Sequence, residues 1–83
     1  MMKNIQNEIK IILNLFNTGN FDFVVSKAKK LIKEFPEYLI LYNLLGSAYQ
    51  NIGELSLAKN IFIKGHKMEP NNISIMNNLA NVY

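Results

Sequence analysis

The chain has 83 residues, 49% of them hydrophobic and 18% charged, with a net charge of +3 and no cysteine. That length allows one domain with a thin core, the composition excludes a disordered chain, and the lack of cysteine excludes a disulfide framework and a thiolate nucleophile. All nine positive side chains are Lys; without the planar fork of Arg, which grips phosphate at two points, a nucleic-acid partner is disfavoured.

No apolar run reaches the roughly 20 residues that a membrane-spanning helix needs. Glu8 and Lys10 sit where the apolar centre of a signal peptide would lie. The expectation is a cytoplasmic protein with no membrane partner.

Ile5, Ile9, Ile12 and Phe16 recur at spacings of three and four, which puts them on one face of a first helix. Asn17-Thr18-Gly19-Asn20 ends it, Gly19 being suited to the left-handed conformation that closes helices. A second helix is predicted over residues 21–35, with Phe21, Val24, Val25, Ala28, Leu31, Ile32 and Phe35 inward. Pro36 stops it. A third helix over 38–52, a turn at Gly53 and a fourth helix over 55–68 repeat the plan. Gly46 and Ala58 are small where these two helices meet, and Tyr49 and Phe62 fill the space beside them. Asn71 or Asn72 then caps a fifth helix over 73–83.

The plan is periodic. Gly19 recurs as Gly53 and Pro36 as Pro70, each 34 residues on, and at the same offset Leu45 returns as Leu79 and Tyr49 as Tyr83. The repeats run over 5–38, 39–72 and 73–83. Within the second, Tyr42-x2-Leu45-Gly46-x2-Tyr49 is followed by Ala58-x3-Phe62 and Pro70. This resembles the tetratricopeptide repeat, whose signature is W-x2-L-G-x2-Y, then A-x3-F, then P, with Tyr42 standing for the Trp. The resemblance implies an all-α fold. It would be a right-handed solenoid of antiparallel helix pairs, two repeats plus helix A of a third, in a single domain over 1–83.

The first repeat departs from the pattern. Ile12 stands at the place of Gly46, and Ala28 and Leu31 stand at the places of Phe62 and Gly65. Large and small residues have been exchanged between facing positions, which conserves volume in a close-packed interior. At the other end, a solenoid needs a polar terminal cap, and Leu79, Val82 and Tyr83 do not supply one. The expectation is the N-terminal part of a longer protein; self-association through that end is the alternative.

Catalysis has little support. His66 is the one histidine, with no Cys or second His to share a metal, and the four Gly are too scattered for a phosphate loop. No Ser has a base beside it in sequence, and the six acidic residues are dispersed. We expect no enzyme, no metal and no cofactor. Lys27, Lys29, Lys30, Lys33, Lys64 and Lys67 fall in the later halves of the second and fourth helices, where they read as solvated charges favouring the negative helix ends.

The resemblance implies instead a protein or peptide partner on the concave surface of the A helices. Carried onto this sequence, the lining is Ile9, Lys10, Leu13 and Phe16, then Asn43, Leu44, Ser47, Gln50 and Asn51, then Ser74, Asn77, Asn78 and Asn81. Asn43, Ser47, Asn51, Asn77, Asn78 and Asn81 are the candidate peptide-binding residues. An Asn amide both donates and accepts, so it can pair with any peptide backbone. With 13 Asn in the chain, part of this richness is compositional. The segment from Asn77 to Asn81 looks like helix A of the repeats in O-linked N-acetylglucosamine transferases, where an asparagine ladder grips peptide. Here Leu44 and Lys10 occupy the places matching Asn78, leaving a single rung.

Three functions follow as expectations. The first is a non-catalytic interaction scaffold. The second is an accessory module of an enzyme, such as a glycosyltransferase or sulfotransferase, whose catalytic domain lies beyond residue 83. The third is an RNA-binding helical repeat, which the absence of Arg and the 34-residue period disfavour.

Overall fold

The computed structural model describes residues 4–82 and places five helices in them: α1 (Ile5–Asn17), α2 (Phe21–Glu34), α3 (Leu39–Asn51), α4 (Leu55–Met68) and α5 (Ile73–Val82). The recurrence of Tyr49 as Tyr83 lies outside the described residues.

Local chemistry sets these boundaries. The Asn4 carboxamide oxygen accepts from the backbone N–H groups of Gln6 and Asn7 at 3.0 and 3.3 Å, which caps α1. Both A helices before the last close alike. Gly19 has φ of 80° and Gly53 has φ of 85°, so each occupies left-handed backbone that a side chain would strain. The chain then turns back so that the Asn20 N–H reaches the Leu15 carbonyl and the Glu54 N–H reaches the Tyr49 carbonyl, each at 2.8 Å. Orphan carbonyls at the two helix ends are thereby satisfied. The B helices stop before Pro36 and Pro70, with Phe35 and Glu69 as C-caps. Asn72, rather than Asn71, caps α5, its side chain accepting from the Ile75 N–H at 3.2 Å.

The helices pack in sequence, each on the next, and α3 touches all four others. That position explains its composition. Eight of its residues are buried, from Leu39 to Tyr49, so it is apolar on most sides where a surface helix would carry one stripe. Helices α1 and α5 also lie against α3, whereas the backbones of α2 and α4 stay apart. Helices α1, α3 and α5 thus converge while α2 and α4 stay apart, in a body of 40 × 26 × 18 Å.

The core runs through all five helices and includes Ile12, Val24, Leu45, Phe62 and Ile75, each buried to 1% exposure or less. In the second repeat, Gly46 lets Phe62 lie against the α3 backbone. A Cβ at Gly46 would overlap the Cδ1, Cε1 and Cζ atoms of the Phe62 ring. In the first repeat the corresponding residues Ile12 and Ala28 are both fully buried, the large residue now on the A helix and the small one on the B helix.

Candidate functional site

The face formed by α1, α3 and α5 carries the candidate residues. On α3, Asn43, Ser47 and Asn51 are four residues apart and so share a side of the helix. On α5, Asn77 and Asn81 are four residues apart, and Asn78 lies three before Asn81. The two strips are joined at one point: the Asn78 amide nitrogen donates to the Asn43 amide oxygen at 3.0 Å, and both residues are half-buried. This bond spans 35 residues, one more than the 34-residue period. It leaves the Asn43 NH2 as a donor and the Asn78 carbonyl oxygen as an acceptor at the junction.

The other candidates divide. Asn77 and Asn81 are exposed beside the pair, and Ser47 is half-buried one turn from Asn43. Asn51 is also exposed, but its amide nitrogen donates to the Ser47 carbonyl at 2.8 Å, a bond within its own helix end. Asn51 is thus partly occupied in closing α3. Leu44, which the sequence pattern puts in the lining, is 8% exposed and belongs to the core, because α3 is covered on more sides than a helix-pair pattern indicates. Ile9 and Phe16 also pack against the core, and the Phe16 ring meets Phe21 edge to face at 5.2 Å between centroids. Leu13 remains exposed at the apolar end of the face.

Tyr42 has a different task. Its hydroxyl donates to the Pro36 carbonyl at 2.9 Å, tying α3 to the turn before it. Nothing in the signature spacing reveals that bond, since the pattern names an aromatic ring and not a hydroxyl.

Chemistry beyond binding finds no cluster. Among the described residues no group of three or more His, Asp or Glu could hold a metal ion. His66 is partly packed, and its Nδ1 atom is buried with no hydrogen-bond partner. No described helix is long and apolar enough to cross a membrane.

No protein-family model matches the chain. A protein of Pyropia yezoensis called "Uncharacterized protein ycf37" is 42% identical over 43 residues, a segment that makes up 52% of this chain and 24% of that protein. The chain therefore spans about a quarter of the length of the curated relative it matches, and the similarity covers part of this chain. Together with the five sequentially packed helices, this fixes the class as an all-α protein with a partial likeness to that relative.

Proposed function

We propose that the chain is a tetratricopeptide-type scaffold: a right-handed solenoid of two helix pairs plus a further A helix, whose A-helix face binds an extended peptide or protein segment without catalysis. The convergence of α1, α3 and α5, the parting of α2 and α4, and the glycine-closed A helices support the repeat architecture. Such a repeat stacks to bury a continuous core and leaves one concave surface free for a partner. Fold alone does not give function, so the reading rests on the site.

The observation that carries it is the Asn43–Asn78 pair. Its spare donor and acceptor are the groups that pair with the C=O and N–H that an extended peptide presents from its main chain. Because main-chain groups are common to all sequences, the pair would grip a segment, and the flanking Leu13, Ser47, Asn77 and Asn81 would read its side chains. Selection from a random-peptide library, followed by affinity measurement on Asn43→Ala with Asn78→Ala and on Asn77→Ala with Asn81→Ala, tests this. Each double variant is expected to weaken a selected peptide by roughly tenfold, about 1.4 kcal/mol. Unchanged affinity in both, with circular dichroism preserved, removes the site from this face.

A further inference from the structure

A second surface stands apart from the A-helix face. Because the backbones of α2 and α4 stay apart, a trough opens between them with α3 as its floor, and its volume is about 240 Å³. Ile32 and Ile61 line its two sides, while Tyr42 and Leu45 line the bottom. The Tyr42 hydroxyl is already engaged with Pro36, so its ring is what it offers here. Lys29 and Lys33, one turn apart on α2, and Lys64 on α4 complete the lining. These residues of α3 are not Asn43 and Ser47, so the trough and the amide face are separate sites.

The helix ends account for one of these three lysines, Lys33. A helix dipole acts over the last turn, and the basic residues there are Lys33 in α2 and His66 and Lys67 in α4. Lys29 and Lys64 lie earlier. Among the described residues none of the three lysines lining the trough has an ion-pair partner; Glu8, by contrast, is paired with Lys27 at 3.8 Å. Lys29, Lys33 and Lys64 are exposed and put positive charge at the rim of an apolar floor, which an acidic partner would complement.

Size narrows the class of anion. The volume is below the roughly 300–1,000 Å³ of pockets that enclose small-molecule ligands. An open trough of this size suits a side chain or two of a larger partner. The geometry points to a docking site for an acidic peptide segment of a partner protein, with one bulky apolar side chain seated between Ile32 and Ile61 and carboxylates on either side meeting Lys29, Lys33 and Lys64. Charge complementarity selects the segment and the apolar anchor holds it.

The test uses a fluorescein-labelled peptide of Glu and Asp around a central Leu-Phe pair, followed by fluorescence anisotropy and two-dimensional amide NMR. Saturable binding is expected, with shifts at Lys29, Ile32, Ile61 and Lys64 and none at Asn43 or Asn77. Replacing Leu-Phe by Ser-Ser should weaken binding by roughly tenfold or more, as should the combined change Lys29→Gln, Lys33→Gln and Lys64→Gln in a chain whose circular dichroism is unchanged. The proposal is overturned by absence of saturable binding, by equal affinity for the Ser-Ser peptide, or by shifts on the Asn43 face. Capture of the chain by phosphatidylserine vesicles but not by the peptide would assign the lysines to a lipid surface instead. Dimerisation that buries the trough would assign them to a second copy of the chain. Either result also overturns the peptide assignment, and none of them bears on the Asn43–Asn78 site.

Discussion

Replacing Gly46 by Ala separates two opposed effects of similar size. In an exposed helix, Gly→Ala stabilises by about 1 kcal/mol, because Gly loses more backbone freedom on folding. At this position the new Cβ falls on the Phe62 ring, which is fully buried and has core on its other sides. Overpacking of that kind costs about 1–3 kcal/mol. Overlap with three ring atoms puts the steric cost at the upper end, about 2–3 kcal/mol. We expect a net loss of about 1–2 kcal/mol, which in a domain of this size lowers Tm by roughly 4–8 °C for each kcal/mol. The first repeat supplies the compensating change. Gly46→Ile with Phe62→Ala copies the Ile12 and Ala28 arrangement, and Phe62→Ala alone should cost about 3–5 kcal/mol. In a double-mutant cycle by urea denaturation, the pair should be more stable than the sum of the single changes by about 2 kcal/mol, within the range of contacting residues. A Gly46→Ala protein as stable as the original, or a cycle that adds without coupling, would refute the size-exchange reasoning.

Ile12→Gly should remove about 3–5 kcal/mol by opening a cavity and adding a helix-interior glycine, enough to abolish a cooperative thermal transition in a marginal domain; an unchanged Tm would contradict it. Tyr42→Phe deletes the hydroxyl that donates to Pro36 and should cost about 1 kcal/mol in urea melts while leaving the helix content intact. For Asn72→Ala, loss of the cap on α5 should cost about 1 kcal/mol and speed amide exchange first in α5, so protection that falls uniformly across the chain would argue against a local cap.

Much of the fold is legible because its punctuation is chemical. Gly19 and Gly53 hold positive φ, and Pro36 and Pro70 follow the ends of α2 and α4, so the helix spans expected over 21–35, 38–52 and 55–68 match to within a residue. Phe35 and Tyr38 fall just outside as caps. The inward face of α2 is likewise correct at Val24, Ala28 and Leu31. What sequence did not disclose depends on contacts between distant helices. The burial of Leu44 follows from α3 touching every other helix. The Asn43–Asn78 bond links positions one residue out of repeat register, so aligning the repeats hides it. The meaning of Lys29 and Lys64 depends on the gap between α2 and α4, which no local pattern encodes.

The central claim is that the A-helix face holds a partner segment through its paired amides. Two-dimensional amide and side-chain carboxamide NMR, recorded while a library-selected peptide is added, tests it most directly. The account predicts shifts of the Asn43 and Asn78 carboxamide signals together with the backbone amides of Ser47, Asn77 and Asn81. Shifts confined to α2 and α4, with the Asn43 and Asn78 side chains unmoved at saturation, would contradict it.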